Sequence, residues 1–318
     1  MKIAVLMGGP SSEREVSLKS GTAVYKALIE LGHDAIQIDL DLKTIVEKLK
    51  DFSPDVVFNA LHGKPGEDGS VQGLLELMGI PYTGSGILAS ALTIDKIVTK
   101  EFLKQAGIPT PEFLSCTAAQ YKKDKEKIQK QIINKLGLPV VIKAPTQGST
   151  IGVYIVRQAG EELAAAIENA LKYESRFMAE AYLDGPEITA PVIGNDQPQV
   201  LPLIEIVSHT GFYDYEAKYT PGLSEHIIPP RLPEVVISQI NSLARQAYTI
   251  AGCRGFARID FIVAQGQYPN IIEINSVPGM TATSLVPDAA RAAGLDFPAL
   301  VQKIIDLALN PETFTFFS

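Results

Sequence analysis

Apolar positions along this chain follow two rhythms. Short apolar runs bounded by glycine, proline or charged residues read as strands at 2–7, 34–40, 54–59, 139–143, 153–156, 177–183, 188–193 and 198–207. Helical spacing recurs over 16–31, 42–50, 95–107, 121–135, 233–251, 287–293 and 297–309. The opening order of strand, glycine turn and helix predicts a small parallel-sheet α/β unit over roughly the first 90 residues. Pro109-Thr110-Pro111 then breaks a helix and marks a boundary. Residues 209–230 carry little apolar periodicity, which predicts a long lid or binding loop.

The most informative alternation lies between 255 and 276. It places Arg258 and Asp260 on one face of a first strand, and Glu273 and Asn275 on one face of a second. A two-residue turn at Gly266-Gln267 sets Asp260 opposite Glu273 and Arg258 opposite Asn275. Facing carboxylates repel unless a cation sits between them, and a divalent metal with oxygen ligands meets that need. The competing reading is a surface hairpin whose charges point into water. Residues 276–281 end the second strand in a loop whose glycine and hydroxyl groups suit close approach of backbone donors to a ligand.

Three further loops carry candidate chemistry. Gly8-Gly9-Pro10-Ser11-Ser12 and the stretch Ala60 to Gly69 both follow strands of the opening unit, and ligands of open α/β sheets collect at the carboxyl ends of strands. Glu13 stands where a helix N-terminus favours an acid, and His62 lies in the second loop; capping and ligand contact are both open for each. The third loop, 144–153, follows Lys143 and is rich in glycine and hydroxyls. It lacks the G-x-x-x-x-G-K-[ST] order and leads into a strand, which excludes a P-loop but permits backbone cover of phosphates. The segment through 177–187 reads as a connection between two lobes, a place where backbone groups can read a nucleotide base.

Composition narrows the class. With 46% apolar residues the 318-residue chain has enough material for two or three packed domains. A net charge of -8 argues against a general nucleic-acid binder. Cys116 and Cys253 stand far apart, supporting neither a disulfide framework nor a zinc site. No apolar run has the length of a membrane span, and the first residues do not read as a signal peptide, so the expected compartment is the cytoplasm.

Taken in order, GGPSSEREVSLKSG, ALHGKPGEDGSVQG, YTGSG, Asp95-Lys96, GST-IGV, GPE, FYDYEAKY, GCRGFARIDF, EIN and PGMTATSLVP resemble the D-alanine–D-alanine ligases of the ATP-grasp superfamily over nearly the whole chain. The resemblance implies a three-domain fold of α/β and α+β character. It comprises an N-terminal parallel-sheet substrate domain (1–94), a central lobe (95–183) and a C-terminal lobe (184–318) with lid loop 209–230 and metal hairpin 255–276, ATP lying between the last two. It further implies ligation of two D-alanine molecules through an acyl phosphate, for peptidoglycan precursors.

By the same resemblance Asp260, Glu273 and Asn275 hold two magnesium ions, which manganese can replace. Lys96 and Lys143 contact ATP phosphates, Glu180, Tyr182 and Leu183 surround adenine, and Glu187 binds ribose. Glu13, assisted by His62, pairs with the first ammonium group; Ser149 and Tyr219 link two loops to Glu13; Arg258 and the Gly279 N–H stabilise developing charge; Lys218, Ser284 and Leu285 receive the second carboxylate. Family members are usually homodimers. The chain departs from the commoner pattern at Gln147 and Thr150, at Ala144, at Ser276-Val277 and at Thr220-Pro221-Gly222, which bears on lid dynamics and rate rather than on reaction class. A D-alanyl-D-lactate ligase is the near alternative, disfavoured by Tyr219. The acid pair with Arg258 argues against a non-catalytic nucleotide-binding regulator, and the missing G-x-G-x-x-G spacing argues against a dehydrogenase.

Overall fold

The computed structural model describes residues 1–208, 224–281 and 283–310. Strands β1 (Lys2–Met7), β2 (Asp34–Asp39) and β3 (Val56–Asn59) form a parallel sheet in the order β2-β1-β3. Strands β4 (Phe113–Thr117), β5 (Val140–Lys143), β6 (Val153–Val156) and β7 (Arg176–Ala181) make an antiparallel sheet ordered β4-β7-β5-β6. The third sheet is antiparallel along β11 (Ser224–Ile227), β10 (Ile204–Ser208), β8 (Glu187–Ile193), β12 (Phe256–Ala264) and β13 (Tyr268–Asn275), with the short β9 (Gln199–Val200) added to β8. This is the α/β plus α+β architecture expected from the sequence.

The parallel sheet is buried on both faces, as its unbroken apolar strands require. One face is closed by the helix Arg14–Glu30 and, less obviously, by the helix Phe297–Leu309, whose Leu300, Val301, Ile304 and Ile305 join Ile3, Val5 and Phe58 in one core. Separate cores lie under the other two sheets. No helix among the described residues is long and apolar enough to cross a membrane.

Several elements differ from the sequence expectation for identifiable reasons. The strand expected over 198–207 is split around Pro202, which has no N–H to give, although the Leu201 N–H still donates to the Pro191 carbonyl of β8 at 2.8 Å. The helix expected over 121–135 breaks at Asp124, whose carboxylate instead caps the helix Lys125–Leu136 by accepting from the Lys127 N–H at 3.0 Å. Part of the predicted 209–230 loop, residues 224–227, is the polar strand β11, paired with β10. Residues 209–223, including Lys218 and Tyr219, lie outside the described residues. The helices Ser70–Leu77, Ile87–Ile94 and Glu161–Ala170 and the strand β4 were not expected from apolar spacing.

The β12–β13 hairpin has the predicted pairing by a different route. Ala264 pairs with Tyr268, so the connection is three residues, Gln265-Gly266-Gln267, with φ of 55° at Gln265 and 68° at Gly266. That loop alone would pair Asp260 with Ile272. An extra residue is absorbed between Phe261↔Ile271 and Asp260↔Glu273, and this bulge restores Arg258↔Asn275. Ile272 and Glu273 are both half-buried and both line the same cleft. Alternation without a bulge would have sent one of them to the opposite face.

Gly185, in the turn joining β7 to β8, packs directly on this hairpin. A Cβ there would lie 2.0 Å from the Val263 carbonyl oxygen, and the flanking Asp184 and Pro186 carbonyls accept from Gln265 and Val263 N–H, each at 3.0 Å. Gly185→Ala is expected to destabilise the protein by about 1–3 kcal/mol. Urea unfolding followed by circular dichroism measures this, and an unshifted midpoint would contradict the contact.

Candidate active site

Two adjoining cavities lie where the three sheets meet. The smaller is lined from the parallel-sheet unit by Glu13, His62 and Glu67, and from the other segments by Ser149, Arg258, Gly279 and Ser284. Glu13 occupies the cap position of the helix Arg14–Glu30, but its side chain makes no capping bond. Instead it is buried and accepts the Ser149 hydroxyl, joining the first unit to the loop after β5. Gly148 permits that approach, since a Cβ there would fall 2.3 Å from Glu13 Oε2. The loop is anchored from below: Glu174 Oε1 accepts from Thr146 N–H at 2.7 Å and from its hydroxyl at 2.9 Å.

His62 is buried at the end of β3, with Nδ1 3.6 Å from Glu67 Oε1 and Nε2 3.2 Å from Ser20 Oγ. Burial alone would lower the imidazole pKa, but hydrogen bonding and charge from Glu67, with the Glu13 charge beyond, hold it above its ordinary value. Burial and the Glu13 charge raise the Glu67 carboxyl, against the pull of His62. Ser20 Oγ also accepts the Met280 N–H at 3.1 Å, tying the 276–281 loop to the same floor. Glu67 was not singled out in the sequence; its place in the charged loop with His62, five residues on, was the available signal.

Next to this pocket the opposed carboxylates of the hairpin are neutralised by side chains. Arg258 NH2 donates to Asp260 Oδ2 at 2.7 Å and lies 3.8 Å from Glu273 Oε1, while Lys96 Nζ is 3.3 Å from Glu273 Oε2. Thr189, across on β8, donates to Asp260 Oδ1 at 2.5 Å. Burial opposes the Lys96 charge, but Glu273 more than offsets it and raises the ammonium pKa. Lys96 Nζ also donates to the Gln147 carbonyl at 2.9 Å, so the hairpin and the 144–150 loop share one cation. Among the described residues no group of three or more His, Cys, Asp or Glu is placed to hold a metal. Asp260, Glu273 and Asn275 nevertheless form an all-oxygen set with two anionic members facing across the ladder, and such donors fit a hard divalent cation.

The larger cavity, about 400 Å³, opens between the two antiparallel sheets. Lys143, Glu180, Tyr182, Leu183 and Glu187 line it, together with the apolar side chains Ile155, Ile262 and Ile272. Glu180 is 3% exposed and binds two ammonium groups, Lys143 and Lys100, each at 2.5 Å. Burial disfavours its charge, yet Lys100 and Lys143 together hold the carboxyl below its usual range. Lys100 escaped the sequence reading, although its spacing from Ile97 and Leu103 puts it on the buried stripe of the helix Lys96–Gln105.

The small pocket is also lined by Ser284, whose Oγ accepts the Thr281 N–H at 3.0 Å and lies 2.8 Å from the Thr281 hydroxyl. A Cβ on Gly279 would come 2.9 Å from the same oxygen. The structure thus gathers Glu13, His62, Ser149, Arg258, Glu273, Asn275, Gly279, Ser284 and Leu285 around one pocket, and the Lys143 to Glu187 set around the other. Asp260 lies beneath them, reached through Arg258. Lys96, Gln147 and Glu273 line both cavities.

A family model for the D-ala D-ala ligase C-terminus matches residues 102–306, and one for the N-terminus matches 42–85. The D-alanine–D-alanine ligase of Moorella thermoacetica is 72% identical over 98% of this chain and 100% of its own, and that of Pelotomaculum thermopropionicum is 52% identical over 98% and 97%. Among solved structures, the Bacillus anthracis D-alanine–D-alanine ligase complexed with ATP superposes with a TM-score of 0.83 at 34% identity, covering 97% of each chain. The VanG D-Ala:D-Ser ligase of Enterococcus faecalis gives 0.81 at 32%, covering 96% of this chain and 99% of that one.

Because the folded pKa of His62 lies above its unfolded value, its contribution to stability is full below the unfolded pKa, about 6.5, and is lost as pH rises through the folded value. His62→Gln should therefore cost more stability at pH 6 than at pH 9. Paired denaturant titrations test this; equal losses at both values would show that the imidazole holds no extra proton.

Proposed function

This chain belongs to the D-alanine–D-alanine ligase family, and on that premise we propose how its two cavities divide the ATP-dependent ligation of two D-alanine molecules. ATP occupies the larger cleft, with adenine against Tyr182 and Leu183, ribose at Glu187 and phosphates toward Lys143 and Lys96. D-Alanine molecules occupy the smaller pocket. The observation that carries this reading is the shared partition: Lys96, Gln147 and Glu273 face both cavities, so a phosphoryl group can pass from one to the other without leaving the protein.

The chemistry follows from what a carboxylate lacks. It is a poor electrophile until one oxygen becomes a leaving group. An oxygen of the first D-alanine carboxylate attacks the γ-phosphorus of ATP, the bond to the ADP oxygen breaks, and D-alanyl phosphate forms. The amine of the second D-alanine then attacks the carbonyl carbon, a proton leaves the nitrogen, and the carbon–oxygen bond to phosphate breaks. Magnesium ions, two by family analogy and held by Asp260, Glu273 and Asn275, would supply charge neutralisation on the phosphates.

The remaining work belongs to side chains. Glu13, with His62 and Glu67 behind it, receives the first ammonium group; Ser149 holds Glu13 in position. Arg258 faces the transferring group and, with the Gly279 N–H, stabilises the tetrahedral oxyanion. Ser284 and the backbone of Leu285 receive the second carboxylate, assisted by Lys218, and Tyr219 closes over Glu13 from the lid; both lid residues lie outside the described set. The three sequence segments 1–94, 95–183 and 184–318 serve respectively as substrate unit and the two walls of the nucleotide cleft. A homodimer working in the cytoplasm, feeding peptidoglycan precursor synthesis, completes the proposal.

Phosphate release from ATP should require both D-alanine and magnesium, with D-alanyl-D-alanine identified by mass analysis. Arg258→Ala should reduce kcat by about 10²–10³-fold, and Glu13→Gln should raise KM for the first D-alanine by about tenfold, the loss of one charge-assisted contact. Failure to form the dipeptide under these conditions, or full activity in Arg258→Ala, would overturn the assignment.

A further inference from the structure

We propose that Lys100 is a positioning residue for the nucleotide: from behind the cleft wall it takes one oxygen of Glu180 and so leaves the ammonium of Lys143 available to phosphate. The proposal rests on reading the larger cavity as the ATP site.

Lys100 is 1% exposed and lines neither cavity. An ammonium group this deep needs partners. It lies 2.5 Å from Glu180 Oε2, donates to Thr110 Oγ1 at 2.6 Å, and stands 5.8 Å from the centre of the Phe113 ring. Burial pulls its pKa down to about 8, which still leaves it charged at neutral pH. The other oxygen of Glu180 accepts from Lys143 Nζ at 2.5 Å, and Lys143, unlike Lys100, faces the cleft.

The charge count gives the arrangement its sense. One carboxylate between two ammonium groups leaves the cluster net positive, with the accessible part of that charge on Lys143. Without Lys100, Lys143 and Glu180 would form a neutral ion pair, and an incoming phosphate would compete with a buried carboxylate for its only partner. With Lys100 present the carboxylate is shared, and Lys143 can turn to phosphate while Glu180 stays neutralised. Lys100 also reaches the opposite wall. The Thr110 hydroxyl that accepts from Lys100 donates to the Ile271 carbonyl at 2.7 Å, one residue before the bulged Ile272 and two before Glu273. One buried cation thus sets both the charge at Lys143 and the spacing between β7 and β13.

The test compares phosphorylated and unphosphorylated ligands in four proteins: native, Lys143→Met, Lys100→Met and Lys100→Met/Glu180→Gln. ATP binding with magnesium is measured by calorimetry and adenosine binding by ligand-observed NMR. Lys100→Met should weaken ATP by roughly tenfold or more, as expected for one charge cancelled within a few ångströms of the phosphates, while adenosine changes by less than about twofold. The double variant, which removes the competing carboxylate with the buried cation, should recover most of the native preference for ATP over adenosine, the ratio that cancels any change Glu180→Gln makes at the base. Should Lys100→Met fail to fold, the double variant carries the test alone, since a preference for ATP over adenosine as low as in Lys143→Met would overturn the proposal. Equal weakening of ATP and adenosine in Lys100→Met would reduce Lys100 to a structural role and overturn it too. Lys143→Met weakening ATP while Lys100→Met does not would overturn it and leave the nucleotide reading intact. Native-like ATP binding by Lys143→Met would instead overturn the nucleotide reading, and the proposal with it.

Discussion

Two acids facing each other across a ladder, Asp260 and Glu273, constrain everything around them. Left alone they would push β12 and β13 apart; with Arg258, Lys96 and Thr189 they become the joint of the molecule. Each partner comes from a different place: Arg258 from β12 itself, Lys96 from the start of the helix Lys96–Gln105, and the Thr189 hydroxyl from β8. Satisfying the hairpin therefore fixes the helix that carries Lys96, and through its bond to the Gln147 carbonyl fixes the loop after β5. That loop presents Ser149 to Glu13, which belongs to the parallel-sheet unit. Electrostatic necessity at one sheet thus propagates into contacts among all three.

The same constraint explains how much could be read from the residues. Alternation reports which face a strand side chain takes, and it correctly put Asp260 and Glu273 opposite each other. It could not report the turn, because a three-residue loop with a bulge and a two-residue loop without one give the same pairing at those positions. Glu13 was ambiguous for a related reason. An acid at a helix start serves the helix by default, and only the arrival of Gly148 and Ser149 from 135 and 136 residues away along the sequence turns it from the helix into the pocket. Polar strands such as β11 were invisible, since their strand character comes from pairing rather than from apolar rhythm. Lys100 gives little signal of its own, because lysines are mostly exposed, and only its spacing from Ile97 and Leu103 marks it as buried.

The two cavities differ in character as their tasks require. The larger cleft has isoleucines on its walls with charged side chains among them, which suits a flat base and a polyanionic tail. The small pocket carries more charged and polar groups, among them Glu13, His62, Glu67, Lys96 and Arg258, and its buried acids and His62 act on one another. Amino-acid substrates bring an ammonium and a carboxylate into a space where water would otherwise serve both. Fixed groups of opposite sign replace that water without reorganising.

The helix Phe297–Leu309 has a consequence for how the protein is made. Its Leu300, Val301, Ile304 and Ile305 complete the core under β1 and β3, and Gln302 lies 2.7 Å from His33 at the edge of that unit. A parallel sheet formed early in synthesis would therefore present an apolar face covered only by the helix Arg14–Glu30 until the roughly 250 residues from the end of β3 to the end of the helix Phe297–Leu309 had been made. The parallel-sheet unit is translated before the other two sheets yet finished only with the helix Phe297–Leu309, so its stability is a property of the whole chain and its folding is slowed by the length of the loop it must close.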